Sequence, residues 1–151
     1  MLITGGCHCK NMRFTLLWEP TPIEIAGRAC TCSFCVKHGG VWTSHPPGVL
    51  KIHIEDPEAL DKYRFGTQTA DFYVCSRCGC VPVVCCNVDA RVLAVVNTNT
   101  FDADYRRMVR SAPITHGEED ESARLARRVR NWIGQVEVSF LATPNNGWSG
   151  P

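Results

Sequence analysis

Ten cysteines stand in this 151-residue chain, and their spacing sorts them into groups. They fall as Cys7-x-Cys9, Cys30-x-Cys32-x-x-Cys35, Cys75-x-x-Cys78-x-Cys80 and the adjacent pair Cys85 and Cys86. Tight C-x-C and C-x-x-C pairs turn two sulfurs toward one ion, and four thiolates satisfy zinc at tetrahedral geometry. In a secreted protein this load would suggest a disulfide framework. In a reducing compartment the same spacings favour metal binding.

Cys7 and Cys9 form one half-site, and Cys75 and Cys78 form another; together they make one closed site of four thiolates. Such a site carries net charge −2 and needs backbone N–H donors, which Gly5, Gly6 and Gly79 beside it let approach. It reads as a structural staple between the N-terminal strand and a distant one. The middle cluster has three sulfurs of its own, Cys30, Cys32 and Cys35. Three protein ligands with one position left free is the common plan of a catalytic zinc. A fourth ligand from Cys80, Cys85, Cys86 or His38 would close that site, and a metal-free redox group is a further alternative. Cys85 and Cys86 are adjacent on an expected strand, so at most one of them faces the ion. Ser33, Lys37, His38 and His45 lie near the cluster in sequence and are candidates for relaying a proton or binding a carboxylate.

The elements that must carry these residues are mostly strands. Met12, Phe14, Leu16 and Trp18 alternate at period two, and "IEIAGRA", "VWTSH", "VLKIHIE", "KYRFG", "DFYV", "VPVVCC" and "RVLAVVNTNT" read as further short strands. Turn residues between them predict a mainly β fold, a single zinc-stapled domain of twisted antiparallel sheets over residues 1–140. One C-terminal helix is expected at about 117–133, with Leu125, Val129, Trp132 and Ile133 on one apolar stripe. Thr115 and Glu118 have capping-box spacing, and Gly134 is placed to end the helix. Arg124, Arg127, Arg128 and Arg130 read as a solvated face matched to the helix dipole. Residues 141–151 read as a loosely held tail.

Sixteen Lys and Arg against fifteen Asp and Glu leave no basic field, so no nucleic-acid partner is expected. No signal peptide and no membrane span is expected, which places the chain in the cytoplasm. Oligomeric state is not written in the sequence.

"GGCHCKNMRF", "CTCSFCVKHGG" and "FYVCSRCGC", in this order and spacing, resemble the three signatures of the glutathione-dependent formaldehyde-activating enzyme family, which includes the centromere protein V relatives. The stretch "APITHGEEDESARLARRVRNWIG" resembles the C-terminal helix of many members. The resemblance implies a β-rich fold and two zinc ions: a structural one on Cys7, Cys9, Cys75 and Cys78, and a catalytic one on Cys30, Cys32 and Cys35. It implies a carbon–sulfur lyase-type activity, joining formaldehyde to glutathione as S-hydroxymethylglutathione. A non-catalytic binding module and a thiol or metal buffer are the competing functions. Lys10 departs from the family pattern, standing where a glycine is frequent, and the pair Cys85–Cys86 lies outside the signatures.

Overall fold

The computed structural model describes residues 1–141. In chain order the strands are β1 (Leu2–Gly6), β2 (Met12–Leu17), β3 (Ile25–Cys30), β4 (Val41–Thr43), β5 (Val49–Ile54), β6 (Leu60–Tyr63), β7 (Asp71–Cys75), β8 (Val83–Val88), β9 (Arg91–Asn97), β10 (Val109–Ile114) and β11 (Gln135–Phe140). The helices are α1 (Ser33–His38), α2 (Ala103–Arg106) and α3 (Glu121–Asn131). Four strands form one sheet in the order β1-β2-β5-β11, and seven form the other in the order β10-β3-β4-β9-β8-β7-β6.

The alternation along β2 buries Met12, Phe14 and Leu16, which meet Leu50, Ile52 and Ile54 of β5 and the inner face of the larger sheet at Ile25, Val83, Ala94 and Val96. Both faces of β8 are covered. Cys85 joins this inter-sheet core, whereas Val84 and Cys86 join a second cluster on the opposite face with Cys35, Trp42, Val95 and Trp132. That second face carries the candidate chemistry.

The mainly β class holds, but the sheets are mixed and not wholly antiparallel. β10 runs parallel to β3 and β11 runs parallel to β5. Short turns between neighbours argue for antiparallel pairing; both parallel partners instead return from far along the chain, as parallel pairing requires.

Helix α3 starts later than the capping-box spacing suggests, because the side chain of Asp120 accepts the Ala123 N–H at 2.8 Å and serves as the N-cap. It also ends before Gly134. Trp132 is already extended, and Ile133 exchanges two backbone hydrogen bonds with Ala94 at 2.9 and 3.0 Å. The expected apolar stripe is only partly used: Trp132 and Ile133 are buried, but Val129 is exposed. The buried residue within α3 is Arg128. The tail expected from residue 141 lies, beyond its first residue, outside the described residues.

Candidate metal centres and the cavity beside the second

The two half-sites meet. The Sγ atoms of Cys7, Cys9, Cys75 and Cys78 all lie within 4.8 Å of one another, with Cys7–Cys9 at 3.6 Å and Cys9–Cys75 at 3.4 Å. Four sulfurs around one tetrahedral zinc at ~2.3 Å sit about 3.8 Å apart, so the donor set fits such an ion. None of the ten cysteines is disulfide-bonded. The two knuckles have the same local form. Lys10 N–H donates to the Cys7 carbonyl at 3.0 Å and Gly79 N–H to the Cys75 carbonyl at 2.7 Å, each with the donor residue in the left-handed region. The φ of 66° at Lys10 explains why a glycine suits that position, since a side chain is strained there. The Met12 N–H donates to Cys7 Sγ at 3.2 Å, the kind of outer contact a thiolate ligand needs.

Cys30, Cys32 and Cys35 form the second set, their Sγ atoms again all within 4.8 Å of one another. Cys30 ends β3, and Cys32 caps α1, its Sγ accepting the Cys35 N–H at 3.4 Å. The Trp42 Nε1–H donates to Cys35 Sγ at 3.3 Å. The hydrogen bond shared with Cys35 draws the Cys30 thiol down to about 5, and the same bond, with burial, pushes Cys35 up. Bringing Cys30 and Cys35 to the thiolate form together therefore calls for a cation among the sulfurs. The donor chemistry and spacing fit a soft divalent ion.

A cavity of about 550 Å³ opens beside this cluster, within the size range of small-molecule sites. All three cysteines line it, and none of Cys7, Cys9, Cys75 or Cys78 does. Trp42, Phe65, Phe72, Val84 and Val95 give it an apolar side, and Arg28, His116, Glu119, Arg124, Arg127 and Arg128 give it a polar one. Asp71 accepts from Arg64 and Arg128 Nη1 donates to the Thr69 carbonyl at 3.1 Å, which together hold the β6–β7 connection at the rim.

A family model described as glutathione-dependent formaldehyde-activating enzyme matches residues 2–116. The chain belongs to that family. The fold is also similar to a crystal structure of a Rhodobacter sphaeroides protein, with a TM-score of 0.55 and 23% identity over 74% of this chain and 99% of that one.

In this member of the formaldehyde-activating family the surplus thiols do not complete the second set. Among the described residues the group near Cys30 stops at three sulfurs. Cys85 faces the inter-sheet core, where burial pushes its thiol up to about 12. Cys86 points to the cavity side but its Sγ accepts from Arg128 Nη1 at 3.4 Å. Cys80 lies against the four-sulfur set, where burial first, and then the neighbouring Cys78 and Cys9 sulfurs, push its thiol up. The expected relay residues fall elsewhere. Ser33 and Lys37 are exposed, His38 packs on Phe34 and Trp42, and His45 stacks on Trp18 with Nε2 bonded to the Glu19 carbonyl at 2.8 Å. None of the four lines the cavity.

Sequence reasoning missed His116 and the arginines. Arg124, Arg127 and Arg128 do not form a solvated face: they turn inward over the cavity, while Arg130 stays exposed. Burial first, and then the Arg127 charge, hold the His116 imidazole below its ordinary range, so it is neutral at pH 7. The i, i+4 spacing places Arg124 and Arg128 on one face of the helix, but spacing alone does not tell whether that face meets water or a pocket.

Proposed function

We propose that this chain joins formaldehyde, or a similar small aldehyde, to the thiol of glutathione, giving S-hydroxymethylglutathione by a carbon–sulfur lyase-type reaction run toward addition. In this reading Cys7, Cys9, Cys75 and Cys78 hold a structural zinc, and Cys30, Cys32 and Cys35 hold a catalytic one. Family membership supports the activity. The observation that carries the division of labour is that all three cysteines of the second set line the cavity and none of the first set does.

Zinc held by three thiolates supplies a Lewis acid that favours the thiolate form of an incoming thiol at neutral pH. The chain's own residues do the remaining work. The Trp42 N–H and the capping contact within α1 fix the positions of Cys35 and Cys32. Trp42, Phe65 and Phe72 exclude water from the aldehyde carbon. The S–H bond breaks, the S–C bond forms, the carbonyl π pair moves to oxygen, and the proton lost from sulfur ends on that oxygen. Neutral His116, within the same cavity, is the residue suited to carry it. Ten free thiols fit a reducing cytoplasm, which we assign as its location.

The test is zinc counting combined with titration of glutathione, with and without formaldehyde, followed by NMR. Two zinc ions per chain and saturable shifts at residues around Cys30–Cys35 are expected. Two ions with no binding of glutathione or its adduct would overturn the enzyme reading. So would a Cys32→Ser variant with unchanged turnover and metal content.

A further inference from the structure

One wall of the cavity carries more positive charge than the protein neutralises. Of its four arginines, only Arg127 has a carboxylate partner among the described residues, Glu119, at 2.7 and 3.0 Å. Arg28 donates to the Ser44 hydroxyl at 2.7 Å. Arg124 donates through Nη2 to the carbonyls of His116 and Glu119 at 2.9 and 3.3 Å. Arg128 is 6% exposed, stacks on Trp132 at 4.9 Å, and makes all its hydrogen bonds through Nη1. The Nε atoms of Arg124 and Arg128 are buried and have no acceptor among the described residues. A guanidinium buried without a counter-charge, as Arg128 is, is costly, and the half-buried Arg28 and Arg124 on the same wall add to that cost. A zinc-loaded three-thiolate cluster supplies one negative charge, which leaves the wall in excess. Arg28 lies within the segment that the family model matches, whereas Arg124, Arg127 and Arg128 lie beyond it, so the α3 part of this wall is not part of what that match carries.

We infer that Arg28, Arg124 and Arg128 form an anion-binding wall that takes the carboxylate end of the thiol substrate, and so select acidic thiols over neutral or basic ones. This deepens the proposed thiol–aldehyde reading by naming what holds the substrate's far end. Helix α3 is then a specificity element. Its arginine stems pack where an apolar stripe would otherwise sit, and its charges turn into the cavity. The planar fork of a guanidinium pairs with a carboxylate through two parallel bonds, which explains arginine in place of lysine at all of these positions.

The test uses the zinc-loaded full chain and calorimetric titration with glutathione, glutathione diethyl ester and S-methylglutathione. The last keeps both carboxylates but has no thiol to deprotonate. The wild-type chain should bind glutathione at least ~10-fold more tightly than the diester, the scale of one charged hydrogen bond, and should bind S-methylglutathione measurably. Arg124→Gln and Arg128→Gln should each remove most of that preference, with Arg124→Lys recovering part of it. Should Arg128→Gln fail to fold, as loss of its Thr69 contact allows, Arg124→Gln and Arg28→Gln carry the same test. Equal affinity for glutathione and its diester overturns the wall. So does a preference that survives in the variants, even with glutathione still bound and turned over. Binding of S-methylglutathione through the arginines, without any turnover of glutathione and formaldehyde, supports the wall and sinks the enzyme reading instead. Absence of binding by all three ligands overturns both.

Discussion

Replacing Cys9 with serine isolates the contribution of the four-sulfur site. Cys9 is exposed, so its substitution removes almost no packing, and any large effect must pass through the shared ion. Its Sγ meets that of Cys75 across 66 residues of chain. Cross-linking a loop of that length restricts the unfolded chain by about 4 kcal/mol on the chain-entropy account, and a metal clip bridging the same points acts alike. Loss of the clip in a chain of this size should lower Tm by about 8 to 16 °C, at 2–4 °C per kcal/mol. The assay is calorimetric unfolding of zinc-loaded protein, with metal content measured on the same samples. Cys80→Ser is the control, because Cys80 lies beside the set without belonging to it; it should cost no more than about 1 kcal/mol and keep both ions. If Cys9→Ser unfolds within about 1 kcal/mol of the parent and retains two zinc ions per chain, Cys9 is not a ligand and the stapling argument is wrong.

Lys10→Gly should stabilise the protein by about 0.5–1 kcal/mol, since relief of ~1–2 kcal/mol of left-handed strain exceeds the added entropy loss of glycine; urea unfolding of the zinc form reads this directly. Glu119→Gln should cost about 1 kcal/mol at pH 7. The hydrogen bond from Arg127 holds the Glu119 carboxyl below its ordinary 4.5, so its contribution is complete above that value and is lost as pH falls through the depressed folded value. The gap between wild type and variant should therefore close in acid, and a gap that persists there would refute the pairing. Cys86→Ala should leave zinc content at two per chain, read by metal analysis, because Cys86 contacts Arg128 and not the three-sulfur set.

Period-two alternation along β2 and β5 made the inter-sheet core readable in advance, since every inward residue of β2 is apolar. Cysteine spacing grouped both thiol sets, because a knuckle is a local structure and its two sulfurs come with it. Strands β10 and β11 were not legible: "VRSAPI" contains a proline and has exposed residues at most positions, and both strands pair with partners far away in sequence. The same reason hid the cavity. Arginines at i, i+4 on a helix look identical whether that helix faces water or a polar pocket, and only its seat over β8, β9 and the β6–β7 connection distinguishes the two. His45, close to the cluster in sequence, is held away from it by its stack on Trp18.

The account stands on the second set binding its ion through three sulfurs of the chain and leaving one place for a substrate thiol. Cadmium-113 NMR of the fully exchanged protein measures this most directly. Two resonances are predicted, one in the four-sulfur range and one in the three-sulfur range, with the second alone moving into the four-sulfur range when glutathione is added. Two four-sulfur resonances before any thiol is present, or a second resonance indifferent to glutathione, would contradict it.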